Sequence, residues 1–443
     1  MSTTSIAKPA VRVSLPVAAI LLGSSWFAVA VAFGVRVFLC VLSHRAESKL
    51  HLGLQVIGRE AGFIAWSLAS GKGFSNPFPG YETATGWLAP VFPALWSVGF
   101  RIFNPNTSNG GVYFCQVMNS AFSAFTCWPV YWLGKKLFSS RIGLTASWTW
   151  VFMPLAILFP LEWAWDQSLS ALMLALLLCA TYKLREVPAE SMAWSGYGIF
   201  WGFTALVNPT LCLLLPFLLA RMVFHRWKVG VPSFRPLLKL IFFFLLSILP
   251  WTARNYFKLD GFVFIKSNFG LELWLGNNPV VPSDAVYSSQ LHPMNNYRQL
   301  LQLALSGEPE YMRVKQRAAL AFIRANPRIF LKLIGRRLLD TWAAVYDSRE
   351  DKWMGALHLR MAEVYFCAAL SVLSLAGLVF ALRKSVAESL PLVLCVIVFP
   401  LPYYITHTSL RYRHPIDPVL TLFATYAIAQ IISAASVRRN PAG

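Results

Sequence analysis

The chain has 443 residues, of which 56% are hydrophobic and 13% charged, with a net charge of +20 and a mean hydropathy of +0.54. A soluble protein of this length carries roughly a quarter charged residues, so the composition excludes an ordinary soluble domain. Runs of about 20 apolar residues recur, each long enough to cross a bilayer as a helix, and no alternating barrel-strand pattern accompanies them.

The expected class is therefore an all-α polytopic membrane protein. The N-terminal "MSTTSIAKPAVR" is short and basic, and the apolar run behind it ends in Arg36 without a small-x-small cleavage site, as a retained anchor would. About ten transmembrane helices are predicted, near 15–40, 111–134, 142–161, 165–183, 193–208, 210–224, 236–253, 357–382, 388–406 and 416–436. A first outer loop, 41–110, is expected to carry amphipathic interfacial helices, among them the one in "REAGFIAWSLASGKGF" with Glu60 on the border of its apolar face. A long outer loop, 254–356, is expected to have mixed structure, with amphipathic helices at 308–327 and 329–342 suited either to the membrane surface or to packing within the loop. The chain then divides into an N-terminal transmembrane module (1–253), the outer loop region (254–356) and C-terminal transmembrane helices (357–443). No internal repeat or low-complexity stretch is evident.

The turns holding Lys135 and Lys136, Lys183 and Arg185, Arg226 and Lys228, Arg383 and Lys384, and Arg438 and Arg439 are all basic. By the positive-inside rule they are cytoplasmic, which makes the protein a multi-pass protein of the cell membrane with both termini inside. The opposite turns are poor in cations except "THTSLRYRH". The dispersed cations point to anionic headgroups and a phosphate-bearing substrate, and not to nucleic acid. Seven cysteines (40, 115, 127, 179, 212, 367 and 395) lie in or beside apolar runs, with neither a metal spacing nor a disulfide framework.

The polar residues that stand out fall on the outer side. They are Arg59 and Glu60, Glu162 and Asp166, Asn208, Arg254 and Asn255, Glu272 and Asn277 in "NFGLELWLGNNP", His292, and then His407, Arg411, Arg413, His414 and Asp417. Span interiors look nearly free of charge, so a site at the membrane surface is expected. A carboxylate on an apolar border, such as Glu60, suits proton abstraction, and otherwise it is a solvated edge residue. Arginines in "RYRH" suit bidentate binding of phosphate, whereas Arg254 is equally an interface anchor. No spacing implies a nucleotide or any other cofactor, and none specifies a metal site, although the acidic residues would tolerate a divalent ion.

The ordered series "GREAGFIAWSLASGKGFSNPF", "TGWLAPVFPALWSVGFRIF", "WAWDQSLSALML", "ALVNPTLCLLLPF", "PWTARNY", "GLELWLGNNP" and "RYRHPIDPVL" resembles the bacterial membrane glycosyltransferases of the GT-C class. These are related to the protein O-mannosyltransferases and the lipid A aminoarabinose transferase. The resemblance implies a polyprenyl-phosphate-linked sugar as donor and a glycan, lipid or protein acceptor at the outer face of the membrane. It implies catalytic roles for Glu60 and Asp166 and donor-phosphate binding by Arg254, Arg411 and Arg413. Beside these, Arg59, Asn208, Asn255, Glu272, Asn277, His292 and His414 are candidate substrate-binding positions by their place among the outer polar residues, with a structural role the commoner one for a lone histidine such as His292. Arg59 stands where many members carry a second acid, so no metal-binding acidic pair is implied. The competing readings are a polytopic transporter or lipid-linked sugar flippase, and a scaffold for envelope polysaccharide synthesis. A transporter would be expected to show a broken-helix site at the midplane or internal repeats, and neither is visible in the sequence.

Overall fold

A computed structural model of the chain describes residues 23–50, 59–103, 108–162, 164–228, 230, 234–281, 288–345 and 357–439. The basic N-terminal stretch with the start of the first predicted span, Ile57, and the side chain of Arg59 lie outside the described residues. In chain order the helices are α1 (Ser25–Leu50), α2 (Arg59–Ala69), α3 (Val91–Ile102), α4 (Ser108–Phe125), α5 (Cys127–Leu137), α6 (Ser140–Phe152) and α7 (Pro154–Glu162). There follow α8 (Gln167–Leu184), α9 (Ala193–Val207), α10 (Leu214–Lys228), α11 (Arg235–Leu259), α12 (Phe269–Gly276), α13 (Tyr297–Ser306), α14 (Glu308–Ala325) and α15 (Pro327–Ala343). The last five are α16 (Leu357–Lys384), α17 (Val386–Val398), α18 (Leu401–Ile405), α19 (Leu410–Arg413) and α20 (Asp417–Arg439). Among the described residues the β-type pairing is a single antiparallel bridge between Ser75 and Ala84.

The helical class agrees with the sequence, but the count of ten spans is not confirmed. Among the described residues seven helical segments are long and apolar enough to cross a membrane, or eight if the bent pair α6–α7 is one span. The predicted span 111–134 divides at Thr126 into α4 and α5, and 193–208 is the 15-residue α9. The predicted span 142–161 breaks at Met153, where α6 and α7 meet at 42°. The cause is local: Pro154 has no N–H to continue the ladder, and proline is the commonest source of a sharp kink. A broken helix is thus present after all.

Span interiors are not free of charge either. Arg36 lies within the span Ser25–Ser43 and is fully buried. Its guanidinium donates to the carbonyls of Trp150 (3.1 Å), Val151 (3.2 Å) and Ala156 (2.9 Å), which flank the break, and to Ser123 Oγ (3.1 Å).

The stretch read as a long outer loop of mixed structure carries, among its described residues, the helices α12 to α15. One core cluster joins it to the first outer segment, with Ala61 and Ile64 of α2, Phe78, Trp87, Trp96, Leu271, Leu303 and Tyr311 packed together. The buried Glu308 ties the same two segments, accepting from Thr85 Oγ1 (2.6 Å) and the Gly86 N–H (2.9 Å). Burial pushes the Glu308 carboxyl up, against the donated hydrogen bonds and the Arg254 charge. A second core holds the opposite half of the bundle, around Leu177, Trp194, Trp201, Leu214, Leu392 and Phe423. The two segments are therefore packed as a cap on the helices, and the polar residues of interest lie where cap and helices meet.

Candidate active site

Glu60 sits in the first turn of α2, where a carboxylate is favoured by the helix dipole, and is 9% exposed. The apolar face beside it is the expected one, with Ala61, Ile64 and Ala65 fully buried. The helix stops at "SGKGF", where Gly71 and Gly73 take φ of 77° and 75°, a conformation that strains any residue with a Cβ. Across from Glu60 stands His292, with Nε2 3.5 Å from Oε1. The His292 ring is wedged edge-on against Phe78 and Trp87, and its Nδ1 accepts the Met294 N–H (3.2 Å). That bond assigns the ring proton to Nε2 in the neutral imidazole, so His292 donates toward Glu60.

A second carboxylate–imidazole pair lies beside the first. Glu272 Oε2 is 2.5 Å from His407 Nε2, and Asn268 Nδ2 donates to the other oxygen at 2.5 Å. Burial works against the Glu272 charge, but the hydrogen bond and charge of His407, aided by Lys266 and His292, outweigh it and hold the carboxyl at about 2. Glu272 is thus a fixed anion and a poor base. Asp166 immediately precedes α8 and accepts from Ser170 Oγ (2.8 Å), to which Asn208 Nδ2 donates in turn (3.2 Å). Burial pushes the Asp166 carboxyl up, opposed by Ser170 and the Lys266 charge. Asn208 also caps the turn 209–213, accepting the Thr210 N–H at 3.1 Å.

The pairs form one group. Lys266 acts electrostatically on both Asp166 and Glu272, and the charges of Arg411, Glu272 and Glu60 all act on the Tyr412 phenol. Tyr412 stacks on Tyr403 with centroids 4.9 Å apart, and its ring lies 5.6 Å from that of His407. Arg411 is set over the rings of Trp165 (5.5 Å) and Tyr412 (5.2 Å), next in sequence to Asp166 on one side. Three carboxylates, two imidazoles, two cations and two phenols converge here from five separate stretches of chain. Sequence reasoning missed Lys266, Tyr403, Tyr412 and the pairing of Glu272 with His407. Their only sequence signal was position on the side expected to be outer.

The other expected site residues lie elsewhere. Arg254 donates to the carbonyls of Phe74 and Thr85 (2.6 Å each) and packs over Trp251 (4.9 Å). With the exposed Lys72, Glu82 and Lys258 it lines an open cleft of about 530 Å³. Arg413 is 1% exposed, with Nε 3.0 Å from Asp417 Oδ1 and further bonds to the Thr341 and Trp342 carbonyls. His414 binds the other Asp417 oxygen (3.0 Å) and stacks on Trp150. Arg413, His414 and Asp417 are thus an internal hydrogen-bonded triad, and the structure gives them no face toward a ligand. Asn255 and Asn277 are fully buried and tie backbone carbonyls together, at Val263 and Ile265 and at Leu273 and Ile405 respectively. Glu162 is exposed at the end of α7. Among the described residues no group of three or more His, Cys, Asp or Glu has a metal-binding arrangement.

No protein-family model matches the chain, and no curated protein matches it. Solved structures of the Archaeoglobus fulgidus oligosaccharyltransferase do. The apo form matches with a TM-score of 0.52 and 16% identity over 95% of this chain and 52% of that one. The form tethered to an acceptor peptide containing the NVT sequon gives 0.52 and 13% over 94% and 50%. The complex with Zn and sulfate gives 0.50 and 14% over 86% and 46%. This chain therefore spans about half the length of those proteins. At such identity the likeness is one of fold: over most of its length the chain has the helical fold of those structures.

Proposed function

We propose that the protein is a membrane glycosyltransferase that moves a sugar from a polyprenyl-phosphate donor to an acceptor hydroxyl. The observation that carries this reading is the convergence of Glu60, backed by His292, with Arg411 in one half-buried group on a GT-C-like fold. In the reaction the acceptor O–H gives its proton to the Glu60 carboxylate, and the acceptor oxygen forms a bond to the anomeric carbon. The bond from that carbon to the phosphate oxygen breaks, and its electron pair leaves on the lipid phosphate. Such a donor already carries a good leaving group, so a base and a cation suffice. Arg411 is the residue proposed to receive the phosphate, since its guanidinium, set near the Trp165 and Tyr412 rings, carries planar N–H donors that suit an anion. Arg254, with Lys72 and Lys258 along its cleft, is a second place where donor charge is held. Asp166, whose carboxyl burial pushes up, is proposed to orient the acceptor by a hydrogen bond. Glu272 and His407 form the fixed wall of the site.

The site is proposed to face the outside of the cell membrane, where a lipid-linked sugar and envelope acceptors meet. Profiling envelope lipids and glycans in cells with and without the protein tests the reading. Loss of one glycan modification with accumulation of an unspent lipid-linked sugar is expected, and identical profiles would overturn it.

A further inference from the structure

We infer that Arg337 is a positioning residue of this site, a clamp in α15 that holds together the two chain segments carrying Glu272 and His407. The inference rests on reading that pair as part of the reaction site.

Glu272 and His407 are 135 positions apart in sequence, yet their contact is short. Their carriers are weak scaffolds: α12 has eight residues and α18 five, too few for stable helices by themselves. Arg337 is fully buried behind both. Its Nη1 donates to the carbonyls of Tyr404 (3.1 Å) and Ile405 (2.9 Å), and its Nη2 donates to the Gly276 carbonyl. Both nitrogens lie 3.4 Å from Asn277 Oδ1. Gly276 ends α12 and Ile405 ends α18, so these are terminal carbonyls that no intrahelical N–H can satisfy. They are also the negative ends of two helix dipoles, drawn to one cation. A planar guanidinium fixes the separation of the groups it bridges, which a lysine ammonium does not. Glu272 lies one turn before Gly276, and His407 lies two residues after Ile405.

Neighbouring contacts join the same segments. Asn277 Nδ2 donates to both the Leu273 and Ile405 carbonyls (2.8 and 2.9 Å). A Cβ at Gly276 would run into the Thr406 carbonyl and come within 2.8 Å of Arg337 Nη2, so the approach requires glycine. Thr341 and Thr408 share a hydroxyl hydrogen bond of 2.8 Å, and Trp342 Nε1 donates to the Tyr404 hydroxyl (2.7 Å). Burial pushes the Arg337 guanidinium down to about 9, which still leaves it charged at neutral pH. Residues whose charges act on Glu272 or respond to it are His407, Lys266, His292, Tyr403 and Tyr412, and none of these is changed in the test below.

The test uses the full-length purified protein labelled with 13C-carboxyl glutamate, the Glu272 signal being assigned by its loss in Glu272→Gln. In the native protein this signal stays ionised down to about pH 3, in keeping with a midpoint of about 2. In Arg337→Met, with the two segments released, the midpoint rises by at least about one unit, and in Arg337→Lys by less. Trp342→Phe loosens the same helix against the same segment without touching the clamp, and leaves the midpoint where it was. In the turnover assay Arg337→Met loses roughly 10- to 100-fold in kcat, as misplacement of reacting groups does, while KM for the donor stays within about two-fold.

A folded Arg337→Met with the native Glu272 midpoint overturns the clamp. A shift of the same size in Trp342→Phe overturns it too. Should Arg337→Met not fold, Arg337→Lys decides alone, a native midpoint there being the contrary result. The titration needs no substrate. If the native protein turns over no lipid-linked sugar, the proposed reaction fails while the clamp is still decided.

Discussion

The charges of Glu60 and Arg411 both act on the Tyr412 phenol, and the two residues divide the proposed chemistry between base and leaving-group stabilisation. Glu60→Gln keeps the shape of the side chain and its contact with His292, but it accepts no proton. Turnover should fall by roughly 10²–10⁴ with donor binding intact, and Glu60→Asp, one methylene shorter, should keep part of the activity. A Glu60→Gln enzyme at the native rate, under conditions where chemistry limits, would move the base to another residue. The two arginines of "RYRH" separate cleanly by burial. Arg411→Ala should weaken polyprenyl-phosphate binding in a folded protein, with Arg411→Lys a partial rescue. Arg413→Ala should instead fail by unfolding, because it strands the buried Asp417, a loss of about 3–5 kcal/mol. Binding titrations beside thermal unfolding of both variants check the contrast. At this scale the sequence identified residue types but not their jobs. Asn255, Asn277, Arg413 and His414 stood out for the same reason as Glu60, being polar on the outer side, yet each is used to satisfy buried backbone or another buried charge. A buried tie and an open site draw on the same side chains, and only tertiary contacts separate them.

Among the elements, the break between α6 and α7 shows how a membrane helix tolerates proline. With no N–H at Pro154, carbonyls near the break need donors, and the bilayer offers none. Arg36 supplies them from α1, donating to Trp150, Val151 and Ala156 on both sides of Met153. Arg36→Met should therefore cost several kcal/mol, at about 1–3 kcal/mol for each buried group left unsatisfied. Arg36→Lys, with its donors at one point, should recover only part. Thermal unfolding in detergent or nanodiscs measures both, and a native midpoint in Arg36→Met would show that water or a neighbouring side chain serves the break. The apolar runs and the outer amphipathic helices were legible from hydropathy and helical spacing. The break was not: a proline within an apolar run bends a helix only if something else satisfies the freed carbonyls. Here that partner is more than 110 residues away.

In the whole molecule, charge is sorted between the two ends of the bundle. At one end the basic turns meet: Lys136 pairs with Glu186 (3.0 Å), Arg185 with Glu388 (3.1 Å), and Lys384 donates to the Leu137 carbonyl (3.3 Å). At the other end lie Glu60, Asp166, Glu272 and their partners beneath the cap. By the positive-inside rule the first end is the one expected to be cytoplasmic. The exception had been "THTSLRYRH", basic on the wrong side. Its arginines are not free topogenic charges, since Arg413 is paired internally with Asp417 and Arg411 is held over Trp165 in the site. With that exception removed, the alternation of basic turns makes a single prediction about sidedness. A cysteine at Ser306, exposed at the end of α13, should react with a membrane-impermeant thiol reagent added to intact cells. One at Glu190, exposed in the turn between α8 and α9, should react only after permeabilisation. The native cysteines are buried, Cys212 partly so, which keeps background labelling low. The reverse pattern would put the acidic site in the cytoplasm, facing nucleotide-linked donors instead of lipid-linked sugars, and the proposed reaction would fall with it.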